Sequence, residues 1–167
     1  MLHVCDLSCD IGLVKTDDEI LSLISRIRPR VIAIDSPLSY ARSGSFRMCD
    51  LEARRRGFMV LPLSMPSMAK LTARGVRLKQ RLCEKGYEVI EVFPTGAFRA
   101  LGLTPPKRDL AKAIEGLRSL GLRISDIGSV HEVDAVMAAY VAYLYVKGEV
   151  ELLGDSSEGV IVMPKRR

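Results

Sequence analysis

Val31-Ile32-Ala33-Ile34-Asp35-Ser36-Pro37 decides how this chain is read. Four apolar residues, three of them β-branched, lie between Pro29 and Pro37 and have the pattern of a short strand covered on both faces, as in a parallel sheet. The run closes on a carboxylate, so Asp35 lies at a strand's C-terminal end. Ahead of it, Thr16-Asp17-Asp18-Glu19 has capping-box spacing, and Ile20, Leu23, Ile24 and Ile27 recur at helical intervals up to Pro29. Behind it, Phe46 to Arg56 reads as a short charged helix ending at Gly57. Pro62 and Pro66 make Met59 to Leu63 extended but irregular. Ser67 is expected to cap a helix whose Met68, Leu71, Gly75, Leu78 and Leu82 form one stripe closed by Gly86, its methionines serving as core filler. Glu88 to Phe93 is a second buried strand, followed by a short helix around Ala97 to Leu101 and an amphipathic helix from Lys107 to Leu120. A second capping box, Ser129-Val130-His131-Glu132, opens a helix to about Val146, and Glu158 to Pro164 reads as a terminal strand. Alternating strands and helices predict one α/β domain over residues 1–167, with a mainly parallel sheet flanked by helices.

Three carboxylates interrupt apolar surroundings: Asp35, Glu91 within Val89-Ile90-Glu91-Val92, and Asp134 within Val133-Asp134-Ala135-Val136. An ionised carboxylate is costly to bury without a donor or a cation, so three together suggest a shared metal. Oxygen ligands favour Mg²⁺ or Mn²⁺, with waters that a phosphate can replace. Structural roles stand beside this reading. Asp35 could cap the following turn, Glu91 could pair with an arginine such as Arg99, and Asp134 could serve the helix dipole. His131 fits a solvated first-turn residue, and Glu132 is first of all a capping-box partner.

The net charge of +5 is unevenly spread: residues 41–108 carry 14 Lys and Arg against 5 Asp and Glu. Arg42, Arg47, Arg54, Arg55, Arg56, Arg74, Arg77 and Arg81 could contact phosphates of a nucleic acid, or form a solvated helix surface. With 48% hydrophobic residues and a mean hydropathy of +0.14, the chain can bury one good core. No stretch approaches the ~20 apolar residues of a membrane span, and the start lacks the order of a signal peptide, so a cytoplasmic location is expected. Cys5, Cys9, Cys49 and Cys83 are scattered, without zinc-type pairing, and read as free thiols. Nothing in the sequence sets the oligomeric state.

The set Ile32 to Leu38, Arg47 and Asp50 ahead of Arg54-Arg55-Arg56-Gly57, Met68 to Gly75, Glu91-Val92-Phe93-Pro94, Asp134-Ala135 and Glu158 to Pro164 resembles the family catalogued as domain of unknown function 429. Its members are regarded as predicted nucleases of RNase H-like fold. The resemblance spans roughly residues 17 to 164. It implies Asp35 as the acid on the fourth strand, Asp134 as the acid on the final helix and Glu91 as a further site carboxylate, with Arg47, Asp50 and Lys70 at polar family positions; Lys70 and Arg74 join the nucleic-acid-binding set. Family members usually open with a strand ending in Gly-x-Asp and two more strands, whereas only about 15 residues precede the first capping box here. Either Leu2 to Leu7 is the acid-bearing first strand, with Asp6 a metal ligand, or it is the third strand of an N-terminally truncated sheet. The second is favoured, because Leu2 to Leu7 leads directly into a helix.

Three functions follow as expectations. The first is a metal-dependent nuclease. The second is a catalytically inactive nucleic-acid-binding or scaffold module of the same fold. The third is a sugar or acyl kinase, for which the phosphate-binding glycine loop is missing.

Overall fold

The computed structural model describes residues 1–3, 6–125 and 127–165; Cys5 and the terminal Arg166 and Arg167 lie outside them. Both capping boxes fold as their spacing dictates. Thr16 accepts the Glu19 amide and starts α1 (Asp17–Ile27), and Ser129 exchanges bonds with Glu132 to start α6 (Val130–Val146). The apolar runs become β2 (Val31–Ile34), β3 (Glu88–Val92) and β6 (Gly159–Pro164), with β5 (Val150–Asp155) beside β6. Strand order is β2-β3-β6-β5, parallel except for the antiparallel β5–β6 pair. Ile34 stands opposite Glu91, and Glu91 opposite Ile161.

Alternation sorts the side chains. Val31, Ala33, Ile90, Val92 and Val162 pack with α6, which is apolar round most of its circumference and buries Val133, Met137 and Val141 completely. Ile32, Ile34 and Val89 point the other way, onto Leu21 and Ile24 of α1 and onto Leu78 and Leu82 of α3 (Pro66–Cys83). On that same side, Leu153, Ile161 and Met163 meet Cys49 and Ala53 of α2 (Met48–Arg55). Arg74 to Asp17 and Arg81 to Asp18, both 2.8 Å, tie α3 to α1.

Two glycines set close approaches. A Cβ at Gly75 would lie 2.5 Å from Ser36 Oγ and 2.6 Å from the Pro37 carbonyl, so α3 is pressed against the loop that follows Asp35. A Cβ at Gly154, whose φ is +98°, would lie 2.8 Å from the Cys49 backbone, which brings β5 down onto α2.

Several boundaries differ from the sequence reading. Pro66 occupies the first position of α3 and Met65 the cap, because proline fits where the amide has no helical partner; Ser67 is therefore inside the helix. Met59 to Leu63 forms no strand. Between α4 (Pro94–Ala100) and α5 (Leu110–Ser119) the chain makes a turn, and Asp109 caps α5 through the Lys112 amide at 3.1 Å, so Lys107 and Arg108 precede the helix. At the start, the expected strand Leu2 to Leu7 includes Val4 and Cys5, which lie outside the described residues. The Leu7 amide donates to the His3 carbonyl at 2.9 Å, Leu7 takes a φ of +55°, and Asp6 accepts from Ser8. Strand pairing here is β1 (Ser8–Cys9) with β4 (Arg123–Ile124), a separate two-stranded sheet. Cys9, Cys49 and Cys83 are free. Among the described residues no helix is long and apolar enough to cross a membrane.

Candidate functional site

A strand of a parallel sheet delivers its last residues to one edge of the fold, where loops rather than neighbouring strands surround them. Asp35, the first residue after β2, opens there onto a cleft of about 790 Å³. By alternation Asp35 falls on the side of Val31 and Ala33, which is the α6 side, and Asp134 is on the first turns of α6. Asp134 does not line the cleft. It is 9% exposed, and its Oδ1 is the one buried side-chain oxygen among the described residues without a hydrogen-bond partner.

The two carboxyls feel each other. Asp35 is pushed up to about 6, first by the protein crowded round it, then by the Asp134 charge, with Glu91 adding to the rise and Lys107 and His131 opposing it. Water in the cleft still reaches the Asp35 side chain, which is exposed, so solvent screening weakens what this shift contributes to stability. Asp134 is raised by burial, against Lys107 and His131. No ion pair joins either aspartate to Lys107 or His131.

Glu91 belongs to a different arrangement. Its parity puts it with Val89 and Ile34, on the α2–α3 side, where Arg47 is waiting. Arg47 Nη1 and Nη2 donate to Glu91 at 2.7 and 2.6 Å, Nε and Nη2 to Asp50 at 3.0 and 2.9 Å, and Nη1 also to Ser39 Oγ at 3.0 Å. That is a partner for every donor of the guanidinium. Arg47 and Asp50 are each 1% exposed and Glu91 6%. Burial opposes the Arg47 charge, but the bonds to Glu91 and Asp50 outweigh it and hold the guanidinium above its ordinary value. Glu91 ends above its usual range, because burial exceeds what Arg47 and the Leu38 amide, 2.7 Å away, give back. The partner of Glu91 is thus Arg47 and not Arg99. Arg47, expected as a phosphate contact, is an interior cation committed to two carboxylates, and Glu91, expected as a site acid, anchors the loop that follows Asp35; both line the same cleft as Asp35.

Other expected residues separate in the same way. Glu132 accepts from the Gly128 and Ser129 amides at 3.0 and 2.9 Å and is a cap. His131 is exposed and bears electrostatically on both Asp35 and Asp134. Asp6 lies beside the small sheet, accepts from Ser8 Oγ at 2.7 Å, faces Arg123 at 3.9 Å and does not line the cleft. Of the basic set, Arg54 lies 4.4 Å over the Phe46 ring, Arg56 bridges Glu52 and Glu151 at 2.6 and 2.7 Å, and Arg74 holds Asp17. None of these, nor Arg55 or Lys70, lines the cleft. The cations that do, apart from Arg47, are Arg99, Lys107 and Arg108, all exposed and without an ion pair among the described residues. Lys107 and Arg108 had a readable signal: Asp109, a good cap, ends the preceding turn and leaves them outside α5.

Among the described residues no group of three or more His, Cys, Asp or Glu side chains is disposed to hold a metal ion. Asp35 and Asp134 alone still fit one kind of ion. Mg²⁺ is commonly held by one or two carboxylates with waters and substrate phosphates completing its octahedron, and an orphaned buried carboxylate oxygen is the feature such an ion would satisfy.

No curated protein and no solved structure matches the chain. The family described as protein of unknown function (DUF429) matches residues 3–158, nearly the whole length, and the chain belongs to that family.

Proposed function

We propose that this chain is a metal-dependent phosphodiester hydrolase of the cytosol acting on a nucleic acid, with Asp35 and Asp134 as the carboxylates that hold Mg²⁺ or Mn²⁺. The observation that carries the reading is Asp134: a carboxylate buried with one oxygen unpartnered, on the helix packed against the strand that ends at Asp35. Leaving such an oxygen bare costs about 1–3 kcal/mol, more for a charged group, so a site that keeps it gains elsewhere. A bound divalent cation supplies an activated water and neutralises charge on a leaving oxygen. The protein's own groups do the rest. Asp35 presents its carboxylate to the cleft, and Glu91 fixes the loop after it by accepting the Leu38 amide. Arg47 keeps Glu91 engaged so that it does not compete as a ligand. Lys107, charged and unpaired, offers donors to a phosphate oxygen and offsets the two aspartates.

The test is incubation with labelled RNA, DNA and an RNA–DNA hybrid in Mg²⁺ or Mn²⁺. Cleavage of at least one is expected, reduced in Asp35→Asn and Asp134→Asn by at least the ~10–100-fold that loss of even an outer partner of a metal costs. No cleavage of any substrate by the wild type, or cleavage indifferent to both substitutions, refutes the proposal. Salt-dependent binding without turnover would leave the inactive nucleic-acid-binding module in its place.

A further inference from the structure

The cleft has two unlike walls. On one side stand Met59, Leu61 and Leu71, which are 79%, 43% and 41% exposed, although large apolar side chains gain by being covered. Met68, Phe93 and Leu103 line the cleft beside them. On the other side stand Arg99, in the last turn of α4, and Lys107 and Arg108, between α4 and α5, none of them in an ion pair among the described residues. Elsewhere Arg54, Arg56, Arg74 and Arg81 are held by an aromatic ring or by acids.

A duplex shows a protein its phosphates and hides its base faces in the stack, and it would leave the apolar wall bare. An unpaired nucleotide offers both surfaces at once, an apolar base face and an anionic phosphate. Building on the hydrolase reading above, we propose that the cleft takes the unpaired end of a single-stranded nucleic acid, its base against Met59, Leu61 and Leu71 and its phosphate between Arg99, Lys107 and Arg108. The volume agrees with that occupant, since about 790 Å³ lies within the range of small-molecule sites and does not describe a groove for a double helix.

The experiment measures equilibrium binding of fluorescent oligonucleotides to the Asp35→Asn protein with metal chelated, so that the probe survives. The probes are a short single strand, a blunt duplex of the same length, and the single strand with abasic terminal positions. The single strand is expected to bind about tenfold or more tighter than the other two, in line with the loss of one or two base contacts. Met59→Ser/Leu61→Ser, at exposed positions that the fold does not need, should remove that advantage and leave the abasic probe unaffected. Arg99→Ala/Arg108→Ala should weaken all single strands and lower the log–log salt slope by roughly 0.7 per lost contact. Equal binding of single strand and duplex, or an unchanged preference in Met59→Ser/Leu61→Ser, overturns the inference. Cleavage by the wild type with equal probe affinities would sink this inference alone; the expected preferences without cleavage would sink the hydrolase reading and keep this one.

Discussion

Replacing Arg47 by Met tests the buried charge cluster most directly. Methionine keeps much of the arginine stem's volume and removes the guanidinium, so the bonds to Glu91, Asp50 and Ser39 disappear together while packing changes little. What remains is two carboxylates, 6% and 1% exposed, with no cation. Breaking a buried pair from one side costs about 3–5 kcal/mol, a large part of the ~5–15 kcal/mol that holds a domain folded. The pH dependence follows from sign. Without Arg47 the Glu91 carboxyl rises further above its unfolded value of ~4.3, so the native state holds a proton that the unfolded chain releases. The variant's stability is then greatest at low pH and falls as pH rises through the gap between the two values. Urea denaturation followed by circular dichroism at pH 7.5 and at pH 5 gives both numbers, with the penalty smaller at the lower pH. A loss under about 1 kcal/mol at pH 7.5, or a penalty that does not shrink at pH 5, would show that the cluster is not a closed set of interdependent charges.

Asp134→Asn should leave metal-free protein at pH 8 at least as stable as wild type and typically better by about 1 kcal/mol, since it removes a buried unpaired charge; a lower urea midpoint would mean that the carboxylate has a partner in the fold. Because the folded Asp35 carboxyl sits at about 6 and the unfolded one at ~3.9, metal-free thermal stability should fall as pH rises from about 4 to 6, and the Asp35→Asn melt should lose that slope. Metal binding, followed by calorimetry, should strengthen over the same interval as the Asp35 carboxyl ionises. Arg55→Ala/Arg56→Ala should cost no more than about 1 kcal/mol through the exposed Glu52 and Glu151 bridges and leave the salt slope of nucleic-acid binding unchanged, in contrast to the Arg99 and Arg108 pair.

Local signals were the legible part of the fold. Capping boxes at Thr16 and Ser129 name their helices because both halves of each motif lie within four residues, and β2, β3 and β6 announce themselves by apolar runs. β5 was hidden: Glu151 and Gly154 break its pattern, and its place comes from pairing with β6 and from the close pass over Cys49. In the site, the sequence singles out Asp35, Glu91 and Asp134 correctly as carboxylates in apolar settings, but assigning them to one cluster needed the third dimension. Arg47 and Asp50 are three residues apart and readable as a pair, whereas Glu91 joins them from 44 residues away. The basic run at Arg54 lies outside the cleft lining, and density of charge in sequence says nothing about which acids the fold sets opposite it.

The period of a strand accounts for the division between Glu91 and Asp35. The register sets Ile34 beside Glu91, so Asp35, one residue further along, has the opposite parity to Glu91 although both line the one cleft at neighbouring strand ends. One side meets α2, whose cap residue Arg47 neutralises what it finds; the other meets α6, which brings a second acid and no cation in contact. Two adjacent carboxylates, alike in sequence context, thus receive opposite electrostatic treatment. Glu91 helps to hold the loop that carries the cleft wall, Asp35 opens onto the cleft, and Asp134 is buried behind it, both offset only at a distance by Lys107 and His131 and by no ion pair. A fold that compensates Glu91 so fully, with every donor of Arg47 engaged, had the means to do the same for Asp134. The contrast between the two is what gives the bare Asp134 oxygen its functional weight.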